Sequence, residues 1–232
     1  VRSNEDLTAA IQAAGGAPLT VVYRRSGARH TATLTPTADE NGHYKAGVWV
    51  RDSGAGIGTM SFVDPQRGTF AGLGHSISDA DTGADLTLLS GEIVPVTITG
   101  CIRGAAGSPG ELRGEFAAAP AGTVLANDAA GVYGSYTGSC TAPALPVANL
   151  QEVTPGEAEL WTTVLGTTAQ PYTIQVERVT MTGSDPNRNL LIRVTDKRLL
   201  DATGGVVQGM SGSPIVQNGR LAAVLTHVLV ND

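Results

Sequence analysis

Ser211 stands in the run Gly209-Met210-Ser211-Gly212-Ser213-Pro214, which sets a small hydroxyl in a glycine-flanked turn ahead of apolar, β-branched Ile215 and Val216. A serine that attacks a carbonyl needs backbone N–H groups beside it to hold the developing oxyanion. Glycines on either side give the chain the freedom to turn those groups inward. The same hexapeptide also reads as a plain Gly/Ser/Pro turn between two strands. The serine needs a base within hydrogen-bond reach, and the base needs an orienting group. Four histidines are available: His30, His43, His75 and His227. His75 follows Phe70-Ala71-Gly72-Leu73-Gly74, where an apolar run ends in glycine and puts the imidazole at a strand tip before a polar loop. His30, in an alternating run, and His43, in a polar stretch, read as solvated; His227, shortly after Ser211, is a weaker candidate.

The bulk composition narrows what these residues can serve. The 232 residues allow one large all-β domain or two smaller ones. With 41% hydrophobic and 16% charged residues the chain is an ordinary globular one. Thirty glycines and twelve prolines favour short strands joined by turns. A net charge of −6 with no basic stretch argues against nucleic acid as a partner. No apolar run approaches the ~18 residues needed to cross a bilayer. Val1-Arg2-Ser3 is neither an initiating methionine nor a signal peptide, so a piece of something longer is expected. Cys101 and Cys140 fit either one disulfide or two buried thiols, and neither has a partner at zinc spacing.

The elements that must position these side chains follow from patterning. Ser3 caps a helix running to about residue 14, with Leu7, Ile11 and Ala14 on one face and Gly15-Gly16 as its stop. Residues 19–24 and 28–34 alternate around Ser26-Gly27 and predict a hairpin. A polar, turn-forming stretch places a boundary near 36–45, giving domains at 1–40 and 41–232. Beyond it, short apolar stretches separated by glycines begin near residues 47, 57, 70, 93, 123, 132, 159, 172, 190 and 220. That rhythm suits an antiparallel sandwich or barrel, and helix-length periodicity is nearly absent.

Three separated motifs carry a resemblance. Gly56-Ile57-Gly58-Thr59-Met60-Ser61-Phe62-Val63-Asp64-Pro65, then Leu73-Gly74-His75-Ser76-Ile77-Ser78-Asp79, then residues 204–215 around Ser211 resemble the sporulation stage IV B serine peptidase family. Residues 48–53 resemble the run leading into that family's protease domain, and 226–232 the strand beyond the nucleophile. Gly-x-Ser-Gly-x-Pro is similar to the nucleophile turn of chymotrypsin-like peptidases. It lacks the glycine at position 213 that an α/β-hydrolase elbow requires. The resemblance implies a mainly-β, chymotrypsin-like double barrel preceded by the C-terminal part of a PDZ domain in residues 1–40, without its carboxylate-binding loop. It also implies a further strand and short helix after Asp232.

Carried over by position, Ser211 is the nucleophile, His75 the general base, and the amides of Gly209 and Ser211 the oxyanion hole. Asp196, 15 residues before Ser211, matches the family's aspartate, although a chymotrypsin-type chain usually supplies its acid well before the nucleophile loop. It reads equally as a cap on the turn that follows, and Asp79, Asp81, Asp85 and Asp128 are rivals. Thr226 falls where a hydroxyl supports the triad acid. No metal or organic cofactor is required. The resemblance implies release from the forespore into the space between forespore and mother cell. It further implies self-cleavage and cleavage of a membrane-bound regulator, which frees an intramembrane protease for late transcription-factor activation. Competing readings are a catalytically silent peptidase fold used for signalling, a PDZ-type adaptor, and an unrelated serine esterase. Residues 203–208 carry no charge that would name the substrate side chain.

Overall fold

The computed structural model describes residues 1–50, 53–79, 81–181 and 187–229. Arg51 and Asp52 of the run leading into the protease-like part, and the last three residues of the terminal motif, lie outside the described residues. Contacts divide the chain into two units, Val1–Ala55 and Gly56–Asp232.

In the first unit, helix α1 (Asn4–Ala14) starts at Ser3, whose Oγ accepts the Asp6 amide at 3.2 Å, and stops at Gly15 with φ +55°. The Asp6 carboxylate accepts from the Arg2 amide, one residue further back than a capping box would place it. Strands β1 (Leu19–Arg25) and β2 (Ala28–Leu34) pair in register around Ser26 and Gly27, which both take positive φ as a tight hairpin turn demands. Strands β3 (Thr37–Ala38) and β4 (Tyr44–Lys45) form a second small hairpin, and the Gln12 amide grips the Tyr44 backbone through both of its polar atoms. Ile11 is the buried apolar anchor of the helix.

The second unit holds two five-stranded antiparallel sheets. In the first, β5 (Met60–Asp64), β6 (Thr69–Gly72), β7 (Glu92–Ile93), β10 (Gly122–Asp128) and β11 (Gly131–Tyr136) lie in the order β5-β6-β11-β10-β7. A separate hairpin, β8 (Val96–Ile102) with β9 (Glu111–Phe116), follows β7 after a break at Pro95, which has no N–H to give a ladder. In the second sheet, β12 (Gly156–Thr162), β13 (Gln170–Val179), β14 (Leu190–Val194), β15 (Pro214–Gln217) and β16 (Arg220–Val224) are ordered β14-β13-β12-β15-β16. Curled sheets of this kind make the mainly-β, chymotrypsin-like fold that the sequence implied. Residues 47–50 form no strand, because their apolar side chains have no sheet to join and Trp49 is fully exposed. Helix α2 (Lys197–Thr203) is too short for periodicity to reveal, with Leu199 alone of its apolar residues fully buried.

Packing is unequal between the sheets. Leu160, Ile174, Val176, Leu199, Val207 and Met210 are at most 2% exposed in one cluster against the second sheet. The first sheet has a smaller centre of Phe70, Val124 and Val132.

The two sheets meet at a seam of bare backbone. Gly212, at φ +90°, lies so close to the Thr59 carbonyl and the Leu73 amide that a Cβ there would overlap both. Thr59 donates its N–H to the Ser211 carbonyl at 2.8 Å and accepts the Leu73 N–H at 3.1 Å. We predict that Gly212→Ala lowers the urea midpoint by an amount worth ~2 kcal/mol or more. Gly100→Ala, where a Cβ would meet nothing within 4 Å, should stay within ~0.5 kcal/mol of wild type. Equal midpoints for the two variants would mean that the seam is slack.

Candidate active site

The turn that carries Ser211 is held from below. Met210 is completely buried in the larger core, so the residues flanking it are carried at the surface of that core. Backbone bonds from Met210 to Val207 (3.2 Å), Gly212 to Leu225 (2.7 Å) and Ser213 to Met210 (3.0 Å) use up those three amides. Among the described residues, the amides of Gly209 and Ser211 have no protein acceptor, and these are the pair the sequence assigned to an oxyanion hole. Gly209 takes φ +96°, a conformation glycine tolerates and L side chains rarely adopt. The half-buried Ser211 hydroxyl donates to the Thr226 carbonyl at 3.4 Å.

His75 arrives from the other sheet, just past the end of β6. Leu73 (φ +68°) and Gly74 (φ +70°) are both left-handed, and for a bulky leucine this is a strained backbone. The turn presses Gly74 against the opposite sheet: a Cβ there would lie 2.9 Å from side-chain atoms of both Thr226 and Val224. The His75 ring then sits 5.7 Å, centroid to centroid, from that of His227 and is tilted 43° to it. Thr226 therefore touches both partners, holding the Ser211 hydroxyl with its carbonyl and the chain before His75 with its methyl.

The tautomer of His75 follows from one bond. Its Nδ1 lies 2.8 Å from the Ser76 carbonyl oxygen, which can only accept, so Nδ1 carries a proton and in the neutral ring the lone pair is on Nε2. The Ser76 segment is pinned in turn. Asp85 accepts the hydroxyls of Ser76 at 2.5 Å and Ser78 at 3.0 Å, and these bonds hold its carboxyl below the usual range. Asn127, on β10, accepts the Ile77 amide at 2.7 Å and gives its own N–H groups to the Ile77 and Leu86 carbonyls, both at 3.0 Å.

Asp196 is employed elsewhere. It caps α2, accepting the Arg198 amide at 2.9 Å, and its carboxylate also receives the Arg198 guanidinium (2.7 and 3.1 Å) and the Thr173 amide (3.2 Å). The Arg198 side chain foremost, with those amides, drives the Asp196 carboxyl far below the ordinary value. The Thr226 hydroxyl donates to the Asn187 carbonyl at 2.8 Å, not to a carboxylate. Asp79 and Asp128 accept backbone amides of the turns that follow them. His30 stacks on Tyr23, and His43 lies 3.8 Å from Asp39. Cys101 and Cys140 are free thiols, and burial pushes the Cys101 thiol up.

Sequence reasoning passed over three contributors. Thr59 lay inside a quoted motif, but only the fold shows that its hydroxyl reaches the Gly209 carbonyl and Ser213 Oγ, each at 3.3 Å. Asn127 precedes Asp128 in a polar stretch that reads as a turn. The Ser76 carbonyl, a backbone atom, leaves no mark in a sequence.

In comparison with known proteins, residues 42–232 match the family model of the SpoIVB peptidase S55. No curated protein and no solved structure matches the chain.

The clamp on the His75 loop yields a prediction. Asn127→Ala should lower kcat for peptide cleavage about 10- to 100-fold while KM changes little, because a small displacement of His75 costs rate and not ground-state binding. An unchanged kcat in a folded variant would remove Asn127 from the machinery.

Proposed function

The chain belongs to the SpoIVB peptidase S55 family of serine peptidases, and on that premise we propose that Ser211 is its nucleophile and His75 its general base. The observation that carries this assignment is their convergence on one segment just past β16: Ser211 Oγ on the Thr226 carbonyl, Gly74 against the Thr226 side chain, and the His75 ring beside that of His227. For attack, the Ser211 hydroxyl leaves the Thr226 carbonyl and gives its proton to His75 Nε2 as the oxygen bonds to the scissile carbonyl carbon. The amides of Gly209 and Ser211 receive the oxyanion. His75 then returns the proton to the leaving amine, and water, activated by the same imidazole, releases the acyl group. The Ser76 carbonyl holds the Nδ1 proton throughout and accepts more strongly once the ring is cationic.

Two carboxylates support this machinery from different sides. Asp85 acts on His75 through the Ser76 segment. Asp196 anchors α2, whose Leu199 packs in the same core as Met210. Serving His75 directly would require Asp196 to give up Arg198 and Thr173.

The biological reading is a sporulation peptidase. Within it we place self-cleavage, cleavage of a membrane-bound regulatory protein, work in the space between forespore and mother cell, and a PDZ remnant in residues 1–40. Family membership supports the setting, and the helix-and-hairpin make-up of α1, β1 and β2 is compatible with the remnant. No helix among the described residues is long and apolar enough to cross a membrane.

Mass spectrometry after incubation with a fluorophosphonate tests the assignment. Wild type should gain the adduct on Ser211 and show self-cleavage products, and Ser211→Ala neither. His75→Ala should slow labelling at least ~1,000-fold, whereas His227→Ala should slow it less than ~10-fold. A folded wild type that stays unlabelled, or a His227 effect larger than that of His75, contradicts it.

A further inference from the structure

A hollow of about 320 Å³, open to the surface, lies among residues that flank the Ser211 turn along the chain. One wall is Gly204–Val206, the segment that leads into Ser211. Another is Val228, two residues beyond the Thr226 carbonyl that holds the Ser211 hydroxyl, and so no more than ~7 Å along the chain from it. The loop from Gly104 to Pro109 lines it too. These walls are braced. The Gly104 amide bonds to the Thr203 carbonyl at 2.8 Å, Arg103 reaches the Leu200 and Asp201 carbonyls, and the Thr203 hydroxyl reaches the Gly205 carbonyl at 2.6 Å.

Among the described residues, the lining has no charged side chain, and the one polar side chain is the Ser108 hydroxyl. A cavity beside a nucleophile is where the side chain just before the scissile bond comes to rest. An ammonium or carboxylate entering it finds no opposite charge among these residues. An apolar side chain instead gains by leaving water. Gly205 adds width, since a Cβ there would meet nothing within 4 Å.

We propose that this cavity is the specificity pocket of the peptidase, and that it takes an apolar side chain of leucine, methionine or phenylalanine size at the residue whose carbonyl is attacked. This rests on the assignment of Ser211 as the nucleophile.

The test uses the full chain and a panel of peptidyl diphenyl phosphonates identical except for that side chain: leucine, methionine, phenylalanine, alanine, lysine or glutamate. Each labels the serine, so the rate of Ser211 modification reads pocket preference without needing a natural substrate. The leucine, methionine and phenylalanine compounds should react at least ~100-fold faster than lysine and glutamate, and ~10-fold faster than alanine. Val206→Asp should raise the lysine rate relative to leucine at least ~10-fold. Should that variant not fold, Ala105→Leu fills the cavity without adding charge, and should bring the phenylalanine rate down to that of alanine. Modification of Ser211 by a small fluorophosphonate, with charged compounds preferred, a flat ranking, no reaction across the panel or an unmoved ranking in the variant, overturns the pocket while leaving the nucleophile in place. Failure of the small fluorophosphonate to modify Ser211 overturns both.

Discussion

The hydrogen bond from the Thr59 amide to the Ser211 carbonyl, closed over the bare backbone of Gly212, is the constraint on which the site depends. Ser211 and His75 come from different sheets, far apart in sequence, and each sheet satisfies its own ladder without the other. At this seam the two come within backbone contact. Gly212 lets Thr59 and Leu73 approach the nucleophile turn on one side, and Gly74 lets the His75 strand approach Thr226 and Val224 on the other. A Cβ at either glycine would force the sheets apart, and the serine and its base would separate with them.

The unequal cores give this seam its mechanical sense. The Ser211 turn is fastened by fully buried Met210 to the larger core, together with Leu199, Val207 and Ile215. The His75 side rests on Phe70, Val124 and Val132, and its loop owes its shape to polar clamps from Asp85 and Asn127. The Ser211 turn rests on burial and the His75 loop on hydrogen bonds, so small polar changes around Asn127 displace His75 more readily than apolar changes of similar size. The left-handed Leu73 belongs to the same economy: local strain is tolerated where the surrounding contacts fix the backbone.

Much of this was legible in the residues. Ser3, Gly15 and the Ser26-Gly27 turn announce α1 and its hairpin through capping and positive-φ chemistry, which are local effects. Alternating strands such as β13 declare themselves because one face is buried. By contrast β9, with Glu111, Arg113 and Glu115, hides its pairing behind charge. Ser211 and His75 stand out because their glycine neighbours are unusual. The orienting group does not. Any nearby aspartate is a candidate in a sequence, whereas the His75 Nδ1 proton is met by a backbone carbonyl that every residue carries. Asp196 shows the same limit from the other side, since a carboxylate before a short helix is as suited to capping as to catalysis, and its bonds to Arg198 and Thr173 appear only in three dimensions.

An experimental structure of the protein phosphonylated at Ser211 tests the central claim most directly, because the adduct places a tetrahedral oxygen where the oxyanion forms. The account predicts that this oxygen accepts from both the Gly209 and Ser211 amides at about 2.7–3.1 Å. It also predicts that His75 keeps Nδ1 on the Ser76 carbonyl while Nε2 faces the adduct. An oxygen turned to solvent, or a His75 ring swung so that Nδ1 meets a carboxylate such as Asp196, would contradict it.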